Sequence, residues 1–581
     1  MPATHIRSRG ESITTRSLNG TVGLPDKSAG RPRSTGWCAG GKVVNVSGVH
    51  RDRDEQGGSG HTNPVPDEWT AHILRSWLDS RYGLQPVIVL ANRGPYRQSR
   101  SGRGPFARGS GGLVTALEPL MQACNGVWVA HGTGSTERIV LDGRAGLKVP
   151  PAISGFRLRN VSLSTHEEQG YYYGFSNEGL WPLCHRTPVR PVFRLDDFRS
   201  YTRANARFVD AVCEEADTDS PVVFVQDYHF ALAPRMIRTQ VPHARIVAFW
   251  HIPFPSPREW AMCPWARRLL EGLLGSSIVG FQTRDDCLNF VHACKYLLDA
   301  HIAPGENAVL HEGRRTLVRV YPVSVEWPSQ WALQSPPVEC CRAAVRSRFG
   351  LPEHTRLIIG VDRMDYTKGI NEKCLAVERL LALQPELRER VVLLQIAEPS
   401  RACLPAYREC RSQIIATVDR INRRFGTSDY RPIILLEQHH EPADVFELLR
   451  AGDVCYVGSL HDGMNLVAKE FVSARDDERG VLILSKFAGA ARELTTALQV
   501  NPFFVDSCAM AIADALNMPA EEQVTRMRTM RGVVEQFNAY RWTADILTDA
   551  ARLCDDSIPV PDSLTPAGSD ECPSFERPSL A

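Results

Sequence analysis

The chain has 581 residues, 43% of them hydrophobic, enough for more than one buried core. A formal net charge of +1 gives no overall field directed at nucleic acid or at an anionic membrane. No apolar run reaches the roughly 18 residues of a spanning helix, and the N-terminus lacks the apolar centre of a secretory signal.

Residues 1–66 are rich in Gly, Ser, Arg and Asp with little apolar periodicity, and are expected to be a disordered tail. Their first part, rich in Ser, Thr and Arg with Glu11 as its acid, faintly resembles an organelle transit peptide, but we read it as tail. The sixteen cysteines are scattered, with no CxxC and no paired Cys–His spacing. They therefore argue against a disulfide scaffold or a structural zinc, and for a reduced, cytoplasmic protein.

Short apolar runs of buried-strand length then recur: Val87 to Ala91, Val222 to Val225, Arg245 to Phe249, Ile278 to Phe281 and Leu317 to Tyr321. A second set follows: Leu357 to Val361, Val391 to Ile396, Pro432 to Leu436, Val454 to Val457 and Val481 to Leu484. Helical patterns such as Pro257 to Leu274 and Asn371 to Leu383 separate many of them. This alternation predicts an α/β protein with parallel sheets covered on both faces, in two Rossmann-like, doubly wound domains. The expected domains are 67–330 and 331–555, joined where Pro and Ser interrupt the pattern between Pro322 and Ser335. A Pro/Ser-rich tail, 556–581, is expected to be disordered. No repeat of solenoid period is present.

Ligands of open parallel sheets bind beyond the C-terminal strand ends, so the residues there carry the functional reading. The first strand leads into Asn92-Arg93-Gly94-Pro95 and then Gly109-Ser110-Gly111-Gly112 before a helical run, where glycines let backbone amides approach an anion. By itself that is equally a flexible loop. Asp227 and His251 each follow a strand of the first set, in Gln226-Asp227-Tyr228-His229 and His251-Ile252-Pro253-Phe254-Pro255. In the second set, Arg363-Met364-Asp365-Tyr366-Thr367-Lys368-Gly369 places an Arg and a Lys where they can clamp a diphosphate. A later strand leads to Glu398-Pro399-Ser400-Arg401. The most informative run is His461-Asp462-Gly463-Met464-Asn465-Leu466-Val467-Ala468-Lys469-Glu470. Asp462 can accept from sugar hydroxyls, the Leu466 and Val467 amides open a helix and can hold a phosphate, and Glu470 can accept from a ribose. The bland alternative makes Asp462 an ordinary helix cap and Glu470 a surface acid.

Together NRGP, DYH, HIPFP, DRMDYTKG, DGMNLVAKE and SKFAGA, in this order over roughly residues 85–545, resemble the trehalose-6-phosphate synthase family, retaining glucosyltransferases of the GT-B fold in glycosyltransferase family 20. The resemblance implies transfer of glucose from UDP-glucose to glucose 6-phosphate with retention. It implies Gly111, Gly112, Arg363, Lys368, Leu466, Val467 and Glu470 at the donor, with Asp462 and His251 at the donor glucose. Arg93, Tyr172 and Arg401 match residues that hold the acceptor phosphate, and Trp181 and Asp227 residues around the acceptor ring. The 67–330 domain would then be the acceptor side and 331–555 the donor side, its last helix crossing back. Neither cofactor nor metal is implied: the triplets Asp52-Arg53-Asp54 and Asp217-Thr218-Asp219 lie in the expected tail and before a strand. Nucleic-acid and membrane partners are not expected, a homo-oligomer is compatible with the sequence, and no phosphatase motif follows the transferase region.

One position departs from the family. In Trp128-Val129-Ala130-His131-Gly132, His131 stands where the family usually has a tryptophan beside the acceptor. The segment Arg97 to Arg108 also differs from shorter family loops. Two alternatives follow: a related transferase with another phosphorylated acceptor or nucleotide donor, and a non-catalytic sugar-phosphate sensor or scaffold.

Overall fold

The computed structural model describes residues 68–82, 87–97, 107–108, 112–124, 126–132, 156–303 and 307–555. The expectations for both tails, for Asp52-Arg53-Asp54, for Gly111 and for most of the Arg97 to Arg108 segment lie outside these residues.

The first set of strands comprises β1 (Val87–Arg93), β2 (Tyr96–Arg97), β3 (Ala107–Arg108), β4 (Val127–His131), β5 (Arg157–Val161), β6 (Val222–Gln226), β7 (Arg245–Trp250), β8 (Ile278–Phe281), β9 (His301–Ala303), β10 (Ala308–His311) and β11 (Arg314–Val320). The second comprises β12 (Arg356–Arg363), β13 (Val391–Glu398), β14 (Ile433–Leu436), β15 (Val454–Val457), β16 (Val481–Ser485) and β17 (Leu498–Val500). The first sheet is ordered β5-β4-β1-β6-β7-β8-β11-β10-β9, and the second β14-β13-β12-β15-β16-β17; β2 and β3 form a separate short pair. The second sheet is parallel throughout, whereas β9 and β10 extend the first as antiparallel edge strands. The chain is thus an α/β protein with two parallel-rich sheets, as the strand–helix alternation predicts. Strands such as Val222-Val-Phe-Val-Gln are buried on both faces, which is why they read as continuous apolar runs rather than alternating ones.

In each sheet the chain reverses its direction of travel. It goes from β1 outward through β4 and β5, then returns to build β6, β7 and β8 on the other side. In the second sheet it goes from β12 through β13 and β14, then returns to β15, β16 and β17. The crevices at these switch points, β1/β6 and β12/β15, are where doubly wound sheets bind ligands.

Two local features depart from the periodicity. The run Pro257 to Leu274 is not one helix: Pro257–Trp260, opened by a Ser256/Glu259 capping box, and Ala266–Leu273 are separated around Pro264. Proline has no N–H to donate, and its ring excludes the preceding turn. Between β5 and β6, Gln169–Leu180 is wound as a π-helix packed on the helix Leu195–Glu214. A Cβ at Gly174 would lie 2.4 Å from the Asp197 carboxyl carbon, so glycine permits this close packing.

The last helix, Ala539–Asp555, packs back on the first sheet. Trp542 donates to the Tyr321 carbonyl at 3.1 Å, Tyr321 donates to Asp549 at 2.7 Å, and Asn538 donates to the Trp69 carbonyl at 3.0 Å. At the opposite, ligand-facing side, the loop after β15 meets the loop after β7. A Cβ on Gly463 would lie 2.0 Å from the His251 carbonyl oxygen, a backbone atom that cannot swing aside. Gly463→Ala is therefore expected to lower stability by about 2 kcal/mol through overpacking; denaturant titration measures it, and a loss below about 0.5 kcal/mol contradicts this contact.

Candidate functional site

Between the two sets of strand ends lies a cavity of about 430 Å³. Arg93, Tyr172, Trp181, Asp227, His251, Arg363, Lys368, Arg401, Asp462, Leu466, Val467 and Glu470 all line it. They come from seven separate chain segments and are brought together only by the fold. Gly112 is the first residue of the helix Gly112–Cys124, and Asp217 to Asp219 precede β6, away from the strand ends.

Two clusters of positive charge share one acid. Asp365, in the turn after β12, is 1% exposed. One carboxylate oxygen accepts from the Thr367 amide (3.1 Å) and hydroxyl (3.0 Å). The other accepts from Tyr407 at 3.3 Å and lies 3.5 Å from Arg363 and 3.6 Å from Arg401. Burial alone would raise its pKa; Arg363, Arg401 and Lys368 outweigh burial and hold it below the usual carboxylate value. Arg401 itself is nearly inaccessible and adopts a left-handed φ of 46°. Its guanidinium lies 4.2 Å from the Trp181 ring centroid and donates to Tyr228 at 3.3 Å, yet its buried Nε has no partner. Arg93 donates to the Tyr172 hydroxyl at 2.9 Å. Although burial opposes it, Arg401 and Arg93 together bring the Tyr172 phenol down to about 7.

The second cluster lies at the β12/β15 switch point. Lys368 meets Asp462 at 2.5 Å, and Ser459 and Asn465 donate to the same carboxylate at 3.2 Å each. Burial would raise the Asp462 pKa, but Lys368 and these donors take it down to about 2, so it is ionised throughout the neutral range. Asn465, not Asp462, caps the helix Leu466–Ala474, its side chain accepting from the Ala468 amide. The cap therefore engages the third amide of the helix and leaves those of Leu466 and Val467 at the positive end of the dipole beside the cavity. Glu470 stands one turn further along, its pKa raised to about 7 by burial.

On the first sheet, Asp227 takes a positive φ of 71°, an uncommon conformation for a residue with a Cβ. This turns its carboxylate to accept from the His251 amide at 3.0 Å. Burial raises its pKa to about 7 against the amides of Tyr228 and His251. The His251 ring lies between Gln226 Oε1, 2.8 Å from Nε2, and Gln282 Nε2, 3.4 Å from Nδ1. An acceptor on one side and a donor on the other fix a neutral ring protonated at Nε2, and burial depresses its pKa to about 3. His131 ends β4, opposite Arg93 at the end of β1.

Residues 85–552 match glycosyltransferase family 20. The chain belongs to that family, the trehalose-6-phosphate synthase family. It is 37% identical, over 79% of its length, to a bifunctional trehalose-6-phosphate synthase/phosphatase of Thermoproteus tenax, of which it spans 63%. It is similar to the E. coli trehalose-6-phosphate structure bound with UDP-2-fluoro glucose, with a TM-score of 0.72, 31% identity and coverage of 80% of this chain and 99% of that one. It is also similar to an α,α-trehalose-phosphate synthase (UDP-forming) from Burkholderia xenovorans in complex with glucose-6-phosphate, with a TM-score of 0.70, 33% identity and the same coverages. The two facing sheets are the GT-B architecture of glycosyltransferase family 20. Among the described residues, no helix is long and apolar enough to cross a membrane.

Several residues of this family 20 site escape a reading by motif. Asp365 lies inside DRMDYTKG, but its two arginine partners sit on different loops, so nothing local marks it as their common counter-ion. Gln226, at the end of β6, and Gln282, just after β8, orient His251. Gln226 adjoins Asp227 and was within reach of a search of strand ends; Gln282, after β8, has no sequence signal. Removing one partner from a buried charge cluster leaves the others uncompensated. Asp365→Asn is therefore expected to cost about 3 kcal/mol of stability, read by denaturant titration; a cost under about 1 kcal/mol would show that the arginines do not depend on this acid.

Proposed function

We propose that this protein is an α,α-trehalose-phosphate synthase, a retaining glucosyltransferase that moves glucose from UDP-glucose to glucose 6-phosphate. The observation that carries the reading is the pair of anion-binding clusters in one cavity. Arg363, Lys368 and the Leu466 and Val467 amides suit a diphosphate. Arg93, Arg401 and Tyr172 suit a phosphate monoester, with Trp181 against the guanidinium groups of both Arg363 and Arg401. The ligands in the E. coli and Burkholderia xenovorans relatives, a UDP-sugar and glucose-6-phosphate, are of these two kinds.

In this reading the C1–O bond of the donor glucose breaks and its electron pair leaves with the diphosphate. Arg363, Lys368 and the helix dipole are already oriented toward that charge, so stabilising it requires little reorganisation. The C1 hydroxyl of the acceptor attacks from the face the diphosphate leaves, which retains configuration. Its proton passes to a leaving phosphate oxygen, so no side chain acts as nucleophile and no metal enters the scheme. Asp462, held ionised by Lys368, accepts from donor glucose hydroxyls. His251, held neutral between Gln226 and Gln282, borders the donor sugar without adding positive charge. Glu470 accepts from the ribose, and Trp181 and Asp227 border the acceptor ring.

His131 beside Arg93 favours one variant of this reading, in which another phosphorylated sugar is the preferred acceptor. UDP release across a panel of sugar phosphates, with glucose 6-phosphate included and the product identified, separates the two; no release with any acceptor from folded protein would favour the sensor reading. Arg363→Ala is expected to lower turnover by about 100-fold or more, and Arg401→Ala to raise mainly the acceptor KM. Near-normal turnover in the first variant would displace the diphosphate from Arg363.

The Tyr172 phenol adds a pH dependence. With its pKa lowered to about 7, it gains negative charge as the pH rises through that value and repels the acceptor phosphate. The acceptor KM is expected to climb by about tenfold per unit above pH 7, while in Tyr172→Phe it stays level. A wild-type KM independent of pH between 7 and 9 would contradict it.

A further inference from the structure

The loop after β15 that packs Gly463 against the His251 carbonyl also makes a hydrogen bond to the first set of elements. The Nδ1 of half-buried His461 lies 3.0 Å from the carbonyl oxygen of His185, 276 residues earlier in the chain. A carbonyl only accepts, so Nδ1 carries the proton and donates. His185 ends the short helix Trp181–His185, and its cap, Arg186, turns left-handed at a φ of 48°. The last carbonyls of a helix have no partner within it, and His461 supplies one from the other side of the cleft. Burial, with the Arg186 charge nearby, holds the His461 ring below the usual histidine pKa, so at neutral pH this is a bond between uncharged groups.

Neither histidine lines the cavity, but each is joined to a residue that does. His185 is 1% exposed; its Nδ1 lies 2.9 Å from the Trp181 carbonyl oxygen, and its ring centroid lies 4.0 Å from that of Trp181. His461 adjoins Asp462, whose carboxylate is fixed by Lys368, Ser459 and Asn465. The hydrogen bond thus completes a short path behind the cavity wall, from Asp462 on one side of the cleft to Trp181 on the other. We propose that His461 is a positioning residue for glucosyl transfer, its bond to the His185 carbonyl setting the separation between Asp462 and Trp181. The role rests on the transfer reading above, in which Asp462 meets the donor glucose and Trp181 borders the acceptor ring. Attack on C1 needs the acceptor hydroxyl close and aligned, and a misplacement of about 1 Å costs on the order of 100-fold in rate. Affinity for the two substrates depends on the anion clusters, which this bond does not touch, so its loss falls on kcat.

The test compares wild type with His461→Leu and His461→Ala, which lack the donor, and with His461→Asn, which restores one. Asparagine has nearly the shape of leucine but carries an N–H at Nδ2, where histidine has Nδ1. Calorimetric titration of UDP counts the competent sites in each, so that misfolded protein does not enter kcat. His461→Leu and His461→Ala are expected to lose about tenfold or more in kcat per UDP-binding site, with both KM values within about threefold of wild type, and His461→Asn to recover most of that loss. A normal kcat without the donor overturns the role, and so does a His461→Asn as slow as His461→Leu, since shape rather than the hydrogen bond would then matter. A loss that appears in the KM values instead of kcat also overturns it. A wild type that binds UDP but transfers glucose to no sugar phosphate overturns the transfer reading itself, and the positioning role with it.

Discussion

A single buried carboxylate, Asp365, organises the cavity. Arg363 and Arg401 approach the same oxygen from different loops, and each would be costly to bury near the other without it. Thr367 and Tyr407 take up further hydrogen-bonding capacity and fix the direction in which the carboxylate faces. Arg363 and Arg401 both line the cavity, and the Nε of Arg401 stays buried without a partner. In the functional reading these two cations serve different substrates, so their common counter-ion also sets the spacing between the diphosphate and the acceptor phosphate.

The same economy governs the other groups. Lys368 neutralises Asp462, and the Ser459 and Asn465 donors leave that carboxylate a limited set of directions in which to accept. His251 is held neutral between two glutamines. In the functional reading the positive charge of the site is thereby confined to where anions would bind, while the surfaces assigned to the sugars are polar but uncharged or negative. This division follows from the fold, because the cationic residues come from β1 and from the loops that follow β12 and β13, whereas Asp227, His251 and Asp462 follow β6, β7 and β15.

The strand runs were legible because parallel strands covered on both faces are continuously apolar, and each predicted run coincides with an observed strand to within a few residues at its ends, whereas β2, β3, β4, β5, β9, β10 and β17 were not among them. The loops after them were legible because the chemistry of an open sheet collects there, so Arg363, Lys368 and the Asp462 to Glu470 run stand out without any partner being known. The π-helix carrying Tyr172 was not legible, since its winding depends on glycines packed against a distant helix, nor was the break at Pro264 within a stretch of otherwise helical period. Asp365 and Gln282 were missed for a common reason. Part of what each does runs through atoms on distant segments, Arg401 and Tyr407 for Asp365 and His251 for Gln282, and a single sequence carries no record of those partners. The departure at His131 was visible, and the fold places it opposite Arg93, but its consequence for the acceptor depends on a ligand's shape rather than on the protein's own contacts.

The central claim is that one cavity holds a nucleoside diphosphate and a sugar phosphate side by side on two separate anion clusters. Calorimetric titration of glucose 6-phosphate into protein already saturated with UDP tests this most directly. The account predicts one-to-one binding in the presence of UDP, with affinity equal to or greater than that for the free protein. Competition between the two ligands, in which saturating UDP abolishes the glucose 6-phosphate signal, would mean that the two clusters form a single anion site and would contradict the account.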